Sequence, residues 1–317
     1  MPKYVLTRAG GNLGGAAASY ALDIAKPDDE IVLTTSDVDG ISAVTLKDWI
    51  RKGARVCFAS YDDAESLRSV FVGAEAVTLI STWLLGEGRR CQARTVIDAA
   101  KQCGVKRICY TSFVGAGMQA EREEDVPFLP RDHRVIEAYI YESGLEYNIQ
   151  RNYLYIDNIP VLFGPSWKIC NDRWLSNSHG KAGAYVARED CGRVLASLLL
   201  GRGQPNTVYD VTGPEAITDE RIFEWVCSQS GYQGQFVSMT DEGLKKFWLD
   251  RGLPSVNSGN SSNLPMKLCI EDLLCCGEMV AKGYMRNTSN AVEELTGQPA
   301  IAFQVALLKY RGIFPQP

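Results

Sequence analysis

Residues 4–25, YVLTRAGGNLGGAAASYALDIA, decide the fold. Tyr4 to Thr7 form a short strand-like run, a glycine-rich turn follows, and from Asn12 to Ala25 the pattern is that of an amphipathic helix. Gly10 and Gly11 give the turn access to positive φ and let backbone N–H groups approach a diphosphate closely. Gly14 or Gly15 lets the helix pack tightly on the strand, and the helix N-terminus from Asn12 favours negative charge. Between a first strand and a first helix, such a turn reads as the opening of a dinucleotide-binding unit. One residue does not fit. Where the loop expects its first glycine, after Thr7, the chain carries Arg8.

The same rhythm runs on to Asn152. EIVLTT precedes a helix over AVTLKDWIRKG, RVCFAS precedes DAESLRSVFVG, AEAVTLIST leads to RRCQARTVIDAAKQCG, and KRICYTSFVG leads to PRDHRVIEAYIYESG. Gly53, Gly73, Gly104 and Gly144 stand where a left-handed helix stop is expected, and LEYNIQRN supplies a sixth strand. This alternation predicts right-handed crossovers and a doubly wound parallel sheet, a Rossmann-like α/β fold. After Asn152 the chain turns aromatic and loop-rich, then helical. TVYDVTG reads as a further strand, TDERIFEWVCSQSG as a helix capped by Thr218, and residues 252–265, GLPSVNSGNSSNLP, as a mobile loop. The expected organisation is a dinucleotide-binding domain over residues 1–152 and a smaller substrate-binding region over 153–317. That region is expected to be partly intertwined with the sheet and to fold over the carboxyl ends of its strands.

The 317 residues are 45% hydrophobic and 22% charged, an ordinary globular composition. A net charge of −5 argues against nucleic acid as a partner, since phosphate backbones demand a basic face. The strongest apolar run, VLASLLLG, is far too short to span a membrane, and since MPK leads straight into a strand no signal peptide is expected. Ten cysteines are scattered through apolar segments, and Cys57, Cys103, Cys109 and Cys191 read as small core hydrophobes. With no C-x-x-C pair, and only His133 and His179 as imidazoles, no metal site is expected. The expectation is a reduced, cytoplasmic protein acting on a small molecule, its oligomeric state left open.

The loop TRAGGNLG resembles the T-G-A-T-G-x-x-G sequence of the NmrA-like group of atypical short-chain dehydrogenases, which includes quinone and isoflavone-type reductases. Thr7, Ala9, Gly11, Asn12 and Gly14 fit, while Arg8 and Gly10 replace Gly and Thr. SYDDAESLRSVFVGAEAVTLIST, CGVKRICYTS, HRVIEAYIYESGLEYNIQRNYLYIDN, AYVAREDCGRVLASLL, YDVTGPEAIT and AVEELTGQP are similar to further family landmarks, in the same order. The resemblance implies an NAD(P)H-dependent reductase of a small apolar or aromatic carbonyl, enone or quinone, with NADP(H) favoured over NAD(H). Arg8, Gly10, Gly11, Asn12, Leu13, Gly14, Ser36 and Thr82 are its cofactor-binding candidates.

Three departures fall in one subsite. Ser36 stands where NADPH-preferring relatives carry an arginine for the 2′-phosphate, Ser60 replaces an aspartate found beside the adenine, and Arg8 replaces glycine. Three readings of Arg8 follow. Its guanidinium takes over the 2′-phosphate, helped by the Thr35 and Ser36 hydroxyls; or it blocks the dinucleotide path and the cofactor is lost; or it points to solvent. Asp37 adds a fourth consideration, since it suits a ribose 2′-hydroxyl in the NAD manner.

The Tyr-x-x-x-Lys pair of many short-chain dehydrogenases is absent. On the equivalent helix, His133 shares a face with Glu137. The resemblance places a lysine or histidine here near the nicotinamide, which makes His133 a candidate proton donor, against its reading as a structural histidine. Ser112 matches the family's active-site serine and is a candidate to orient the substrate oxygen, with Tyr110 on the same strand face. Thr82 and Trp83 end the fourth strand, under the expected nicotinamide. Tyr153, Tyr155 and Asn158 are candidate substrate contacts, and Trp174, with Trp167 and His179, a candidate far wall for a flat apolar ligand. The missing Tyr–Lys pair and the altered loop keep two alternatives open: a cofactor-independent isomerase, dehydratase or cyclase, and a non-enzymatic dinucleotide-sensing regulator.

Overall fold

A computed structural model describes residues 1–256 and 268–317. The strands are β1 (Lys3–Leu6), β2 (Glu30–Thr35), β3 (Arg55–Phe58), β4 (Ala74–Ile80), β5 (Arg107–Phe113), β6 (Glu146–Asn152), β7 (Arg173–Ser176), β8 (Ala182–Gly183), β9 (Thr207–Val211), β10 (Ile217–Thr218) and β11 (Gln235–Ser238). The helices are α1 (Asn12–Ile24), α2 (Ala43–Arg51), α3 (Ala64–Phe71), α4 (Glu87–Gln102), α5 (Phe128–Ser143), α6 (Arg188–Leu199), α7 (Asp219–Ser230), α8 (Asp241–Leu249), α9 (Ile270–Ala281), α10 (Ala291–Thr296) and α11 (Phe303–Leu308).

Seven strands form one parallel sheet in the order β3-β2-β1-β4-β5-β6-β9. Both faces are covered, which is why its central strands carry apolar residues at successive positions. Leu6, Leu33, Ala76, Ile80 and Cys109 face the core under α1 and α6. Their neighbours Val5, Val32, Val77, Leu79, Ile108 and Tyr110 face the opposite core, built by α3, α4 and α5. The order of connection reverses between β1 and β4, and the crevice at that switch point is where open α/β sheets bind ligands.

The first six strands and five helices follow the sequence reading closely. Thr218 caps α7 by accepting from the Arg221 N–H at 3.1 Å, as expected. The later part of the chain contributes directly to the sheet: β9 pairs with β6 from Asn148↔Thr207 to Asn152↔Val211. Helix α6 lies against α1 so closely that a Cβ on Gly192 would come 2.7 Å from the Ala16 Cβ and 2.9 Å from the Ala17 nitrogen. Residues 159–186, 217–256 and 268–281 build a smaller wall over the carboxyl end of the sheet, centred on Leu162, Leu244, Trp248, Leu268 and Leu273.

One expectation needs correction, and another falls largely outside the described residues. Cys109 and Cys191 are buried, but Cys57 and Cys103 are only partly so, because β3 is the edge strand and Cys103 sits at the C-cap of α4. The stretch 252–265, expected as a mobile loop, falls largely on residues 257–267, outside the described residues. Among the described residues no helix is long and apolar enough to cross a membrane.

Gly192→Ala should force α6 off α1 and lower stability by about 1–3 kcal/mol, the usual cost of overpacking a tight helix contact. Urea denaturation checks it, and an unchanged midpoint would show that the two helices are not in the close contact described.

Candidate active site

The site begins at the turn between β1 and α1. Arg8 adopts φ +54°, in the left-handed region where a side chain costs about 1 kcal/mol or more. This conformation brings its carbonyl against the first turn of α1, and a Cβ on Gly14 would lie 2.0 Å from that oxygen. Gly14 is therefore obligatory. Gly11 is the N-cap and makes no side-chain cap, and the first helical turn carries no acidic residue. The N–H groups of Asn12, Leu13 and Gly14 have no hydrogen-bond partner among the described residues, and all three residues line a cleft at the switch point. Such a row of free donors at a helix N-terminus fits a diphosphate.

The Arg8 guanidinium does not lie across those donors. Its carbon sits 5.8 Å from the centre of the Tyr61 ring, which belongs to the core on the α3–α4 side of the sheet, opposite α1. Tyr61 is itself fixed between two strands. Its hydroxyl accepts from the Ile80 N–H at 3.0 Å and donates to Thr7 Oγ1 at 2.6 Å, while Thr7 Oγ1 donates to the Thr78 carbonyl at 2.9 Å. Arg8 edges the cleft from this seat, so the reading in which it blocks the dinucleotide path is set aside. Gly10 and Ser36, expected to touch the cofactor, lie outside the cleft lining. Gly10 packs on Thr35, where a Cβ would come 2.9 Å from Oγ1, and Ser36 is exposed beyond the end of β2. The Thr35 hydroxyl is engaged with the Asp37 backbone and is not free to assist Arg8.

From the glycine loop the cleft continues over the ends of β4 and β5. Thr82 lines it, and the Thr82 Oγ1 is buried without a hydrogen-bond partner. Trp83 stands at the mouth, 64% exposed. His133 also lines the cleft, but both its ring nitrogens are occupied: Nδ1 lies 2.7 Å from the Tyr110 hydroxyl and Nε2 lies 3.3 Å from Arg89 Nη1. Arg89 can only donate, so Nε2 is the acceptor and the ring is neutral with its hydrogen on Nδ1. Burial, reinforced by the Arg89 charge, pushes the imidazole well below its ordinary value of 6.5. The expected part of proton donor does not fit this geometry: the neutral ring's one hydrogen is directed at the Tyr110 hydroxyl, and its lone pair is held by the Arg89 guanidinium.

Ser112 reaches the cleft from the end of β5, and its hydroxyl donates to Glu137 Oε1 at 2.5 Å. Glu137 is in turn held by Arg151 through contacts of 3.0 and 2.6 Å. The Ser112 hydrogen is thus engaged behind the site, and the oxygen offers lone pairs, so orienting a carbonyl oxygen is not the part this geometry gives it.

The aromatic wall is partly as expected. Tyr153, Tyr155, Asn158 and Trp174 all line the cleft. The Tyr155 hydroxyl accepts from Asn152 Nδ2 at 2.9 Å, and Asn158 Oδ1 accepts from Arg188 Nη2 at 2.7 Å. Burial pushes the Tyr153 hydroxyl up to about 12. Trp167 is behind the wall, fully buried against Trp174 at 5.5 Å, and His179 is exposed away from the cleft. Among the charged cleft residues that escaped the sequence reading are Arg89, Arg188, Asp219 and Asp272. Arg89 stands in EGRRCQ, in the first turn of α4, where neighbouring arginines read alike as solvated. Asp219 follows the Thr218 cap, where an acid suits the helix dipole without implying a site. Its carboxylate accepts from Ser176 Oγ at 2.7 Å and from the Tyr185 hydroxyl, and burial raises its pKa.

A family model described as NAD(P)H-binding matches residues 9–200. Quinone oxidoreductase 2 of Escherichia coli (strain K12) is 26% identical over 249 residues, 78% of this chain and 79% of its own length. An NmrA-like family domain-containing oxidoreductase of Aspergillus flavus is 22% identical over 302 residues, 94% of this chain and 92% of its own length. Among solved structures, the NADPH-dependent quinone oxidoreductase of Escherichia coli complexed with NADPH superposes with a TM-score of 0.77 at 25% identity. That match covers 98% of this chain and 100% of the other. The expected resemblance to NmrA-like proteins is borne out.

Because the folded His133 binds its proton only well below pH 6.5, the unfolded chain gains a proton first as the pH falls. Stability that is full above pH 6.5 is then lost towards lower pH, with a slope approaching 1.4 kcal/mol per pH unit, on the order of a single-proton linkage. Wild type should accordingly lose about 1 kcal/mol more than His133→Gln between roughly pH 7 and 5.5, read by urea denaturation. Parallel losses would mean that the imidazole titrates normally in the folded protein.

Proposed function

The chain belongs to the NAD(P)H-binding family and is an NAD(P)-dependent oxidoreductase with NADP(H) as its cofactor, and from that premise we propose that it reduces a small, flat, apolar carbonyl compound of the enone or quinone type. The observation that carries this reading is the continuity of one cleft, from the free N–H groups of Asn12, Leu13 and Gly14, past Thr82, to the aromatic wall of Tyr153, Tyr155 and Trp174. A dinucleotide fits its glycine end and a flat ring its aromatic end. The quinone oxidoreductase relative supports the choice of substrate class.

In this reading the three N–H groups hold the diphosphate and Arg8 the 2′-phosphate. When bound, the reduced nicotinamide supplies the hydride. The unpartnered Thr82 Oγ1 is a hydroxyl free to donate to an oxygen in the cleft, and Ser112 Oγ accepts from a hydroxyl or amide of a bound molecule. His133 stays neutral and keeps Arg89 in place. The aromatic wall excludes water and sets the plane of the substrate ring.

Calorimetry with NADPH, followed by the absorbance change on adding 1,4-naphthoquinone, tests the reading. Binding and quinone-dependent oxidation are expected; absence of NADPH binding would remove it. Arg8→Gln should weaken NADPH by about tenfold, roughly the loss of one charge-assisted contact, and leave NADH affinity unchanged. Equal weakening of both coenzymes would show that Arg8 does not read the 2′-phosphate.

A further inference from the structure

Arg89 is a buried cation with a cleft-facing position and no full counter-charge. Only 7% of the residue is exposed, yet it lines the cleft beside Thr82, Trp83 and His133. Its Nε donates to the Thr82 carbonyl at 3.1 Å and its Nη1 to His133 Nε2 at 3.3 Å, both neutral acceptors. The nearest carboxylate, Asp132, stands 3.8 Å away and is committed elsewhere: it accepts from Arg90 Nε at 2.8 Å and from the Gly86 N–H at 2.7 Å. Asp272 also faces the cleft but makes no ion pair with Arg89. Arg89 Nη2 has no hydrogen bond among the described residues. A guanidinium desolvated in this way is expensive unless something charged visits it.

We propose that Arg89 forms an oxyanion site, receiving the negative oxygen of a phenolate- or enolate-type group as the substrate is reduced. The inference deepens the carbonyl or quinone reading and rests on it. The hydride supplied by NADPH forms one new bond on the substrate, the carbonyl π pair moves onto oxygen, and the substrate leaves that step as an anion. NADPH is oxidised and the substrate reduced; the anion then takes a proton from water. No protein acid is required, which agrees with the neutral His133. The neighbours that accept from Nε and Nη1 fix the fork so that Nη2 points its hydrogens at one place, and such preorganised donors act most strongly where water is excluded.

The test compares two ligands of similar shape in the presence of NADP+: 2-hydroxy-1,4-naphthoquinone, anionic at neutral pH, and neutral 1,4-naphthoquinone. Wild type should bind the anion at least tenfold more tightly, by calorimetry. Arg89→Gln should abolish that preference, change neutral-ligand and NADPH affinities by less than threefold, and lower kcat by about 100-fold, the scale of a lost oxyanion donor. Guanidinium added to Arg89→Ala should restore part of the rate. Equal binding of the two ligands by wild type overturns the proposal without any variant. Equal weakening of both ligands in Arg89→Gln, or a tenfold loss of NADPH affinity, overturns it in favour of a structural or coenzyme-holding part. If wild type binds the anion through Arg89 yet does not oxidise NADPH with quinone, the quinone reading fails and the oxyanion site stands.

Discussion

The contact between the Arg8 carbonyl and Gly14 governs the rest of the site. A methyl group at position 14 would sit 2.0 Å from that oxygen, so the chain can turn from β1 into α1 here only if the helix begins with bare backbone. That close approach aims the first N–H groups of α1 at the crevice instead of at the preceding turn. It also explains how an arginine is tolerated in a glycine position. The backbone takes the left-handed conformation that glycine would have taken, and the side chain finds a ring to lie over. The geometry of the loop is preserved while its chemistry changes.

Behind the crevice, α4 and α5 organise charge. Asp132 gathers Arg90, the Gly86 N–H and, more distantly, Arg89, while Glu137 gathers Arg151 and Ser112. Each buried carboxylate is met by several donors, as the desolvation of an ion demands. The two networks meet the cleft at different points. One presents a cation through Arg89, and the other presents lone pairs through Ser112. The polarity of the inner cleft is therefore arranged by residues that do not themselves reach it.

The sheet was legible because period and punctuation were clean: apolar runs, amphipathic helices and a glycine stop after α2, α3, α4 and α5. The glycine loop was legible for the same local reason. What the sequence did not report about the site has a different origin. His133 lies where the resemblance put it, yet whether an imidazole can give a proton depends on Arg89, Tyr110 and burial, which adjacency in sequence does not report. Ser112 is likewise in place, with its hydrogen directed to a residue on another element. Arg89 and Arg90 are neighbours of identical type in one helix, and only tertiary packing sends the first into the cleft and the second towards Glu123. Ser36 and Gly10 sit at the loop ends the sequence identifies but outside the cleft lining, Gly10 packed on Thr35 and Ser36 exposed beyond β2.

The pairing of β9 with β6 has a consequence for how the chain is made. The sheet lacks its last strand until Val211 has left the ribosome, although six strands and five helices are available after Asn152. During that interval of synthesis β6 is an open edge, and an unpaired strand edge is a template for association with other chains. On the side that α6 later covers, β6 presents Asn148, Gln150 and Asn152 at alternate positions, so the strand at the open edge is polar there. Polar side chains at such an edge disfavour pairing with other chains, and the same three are buried once β9 and α6 are in place.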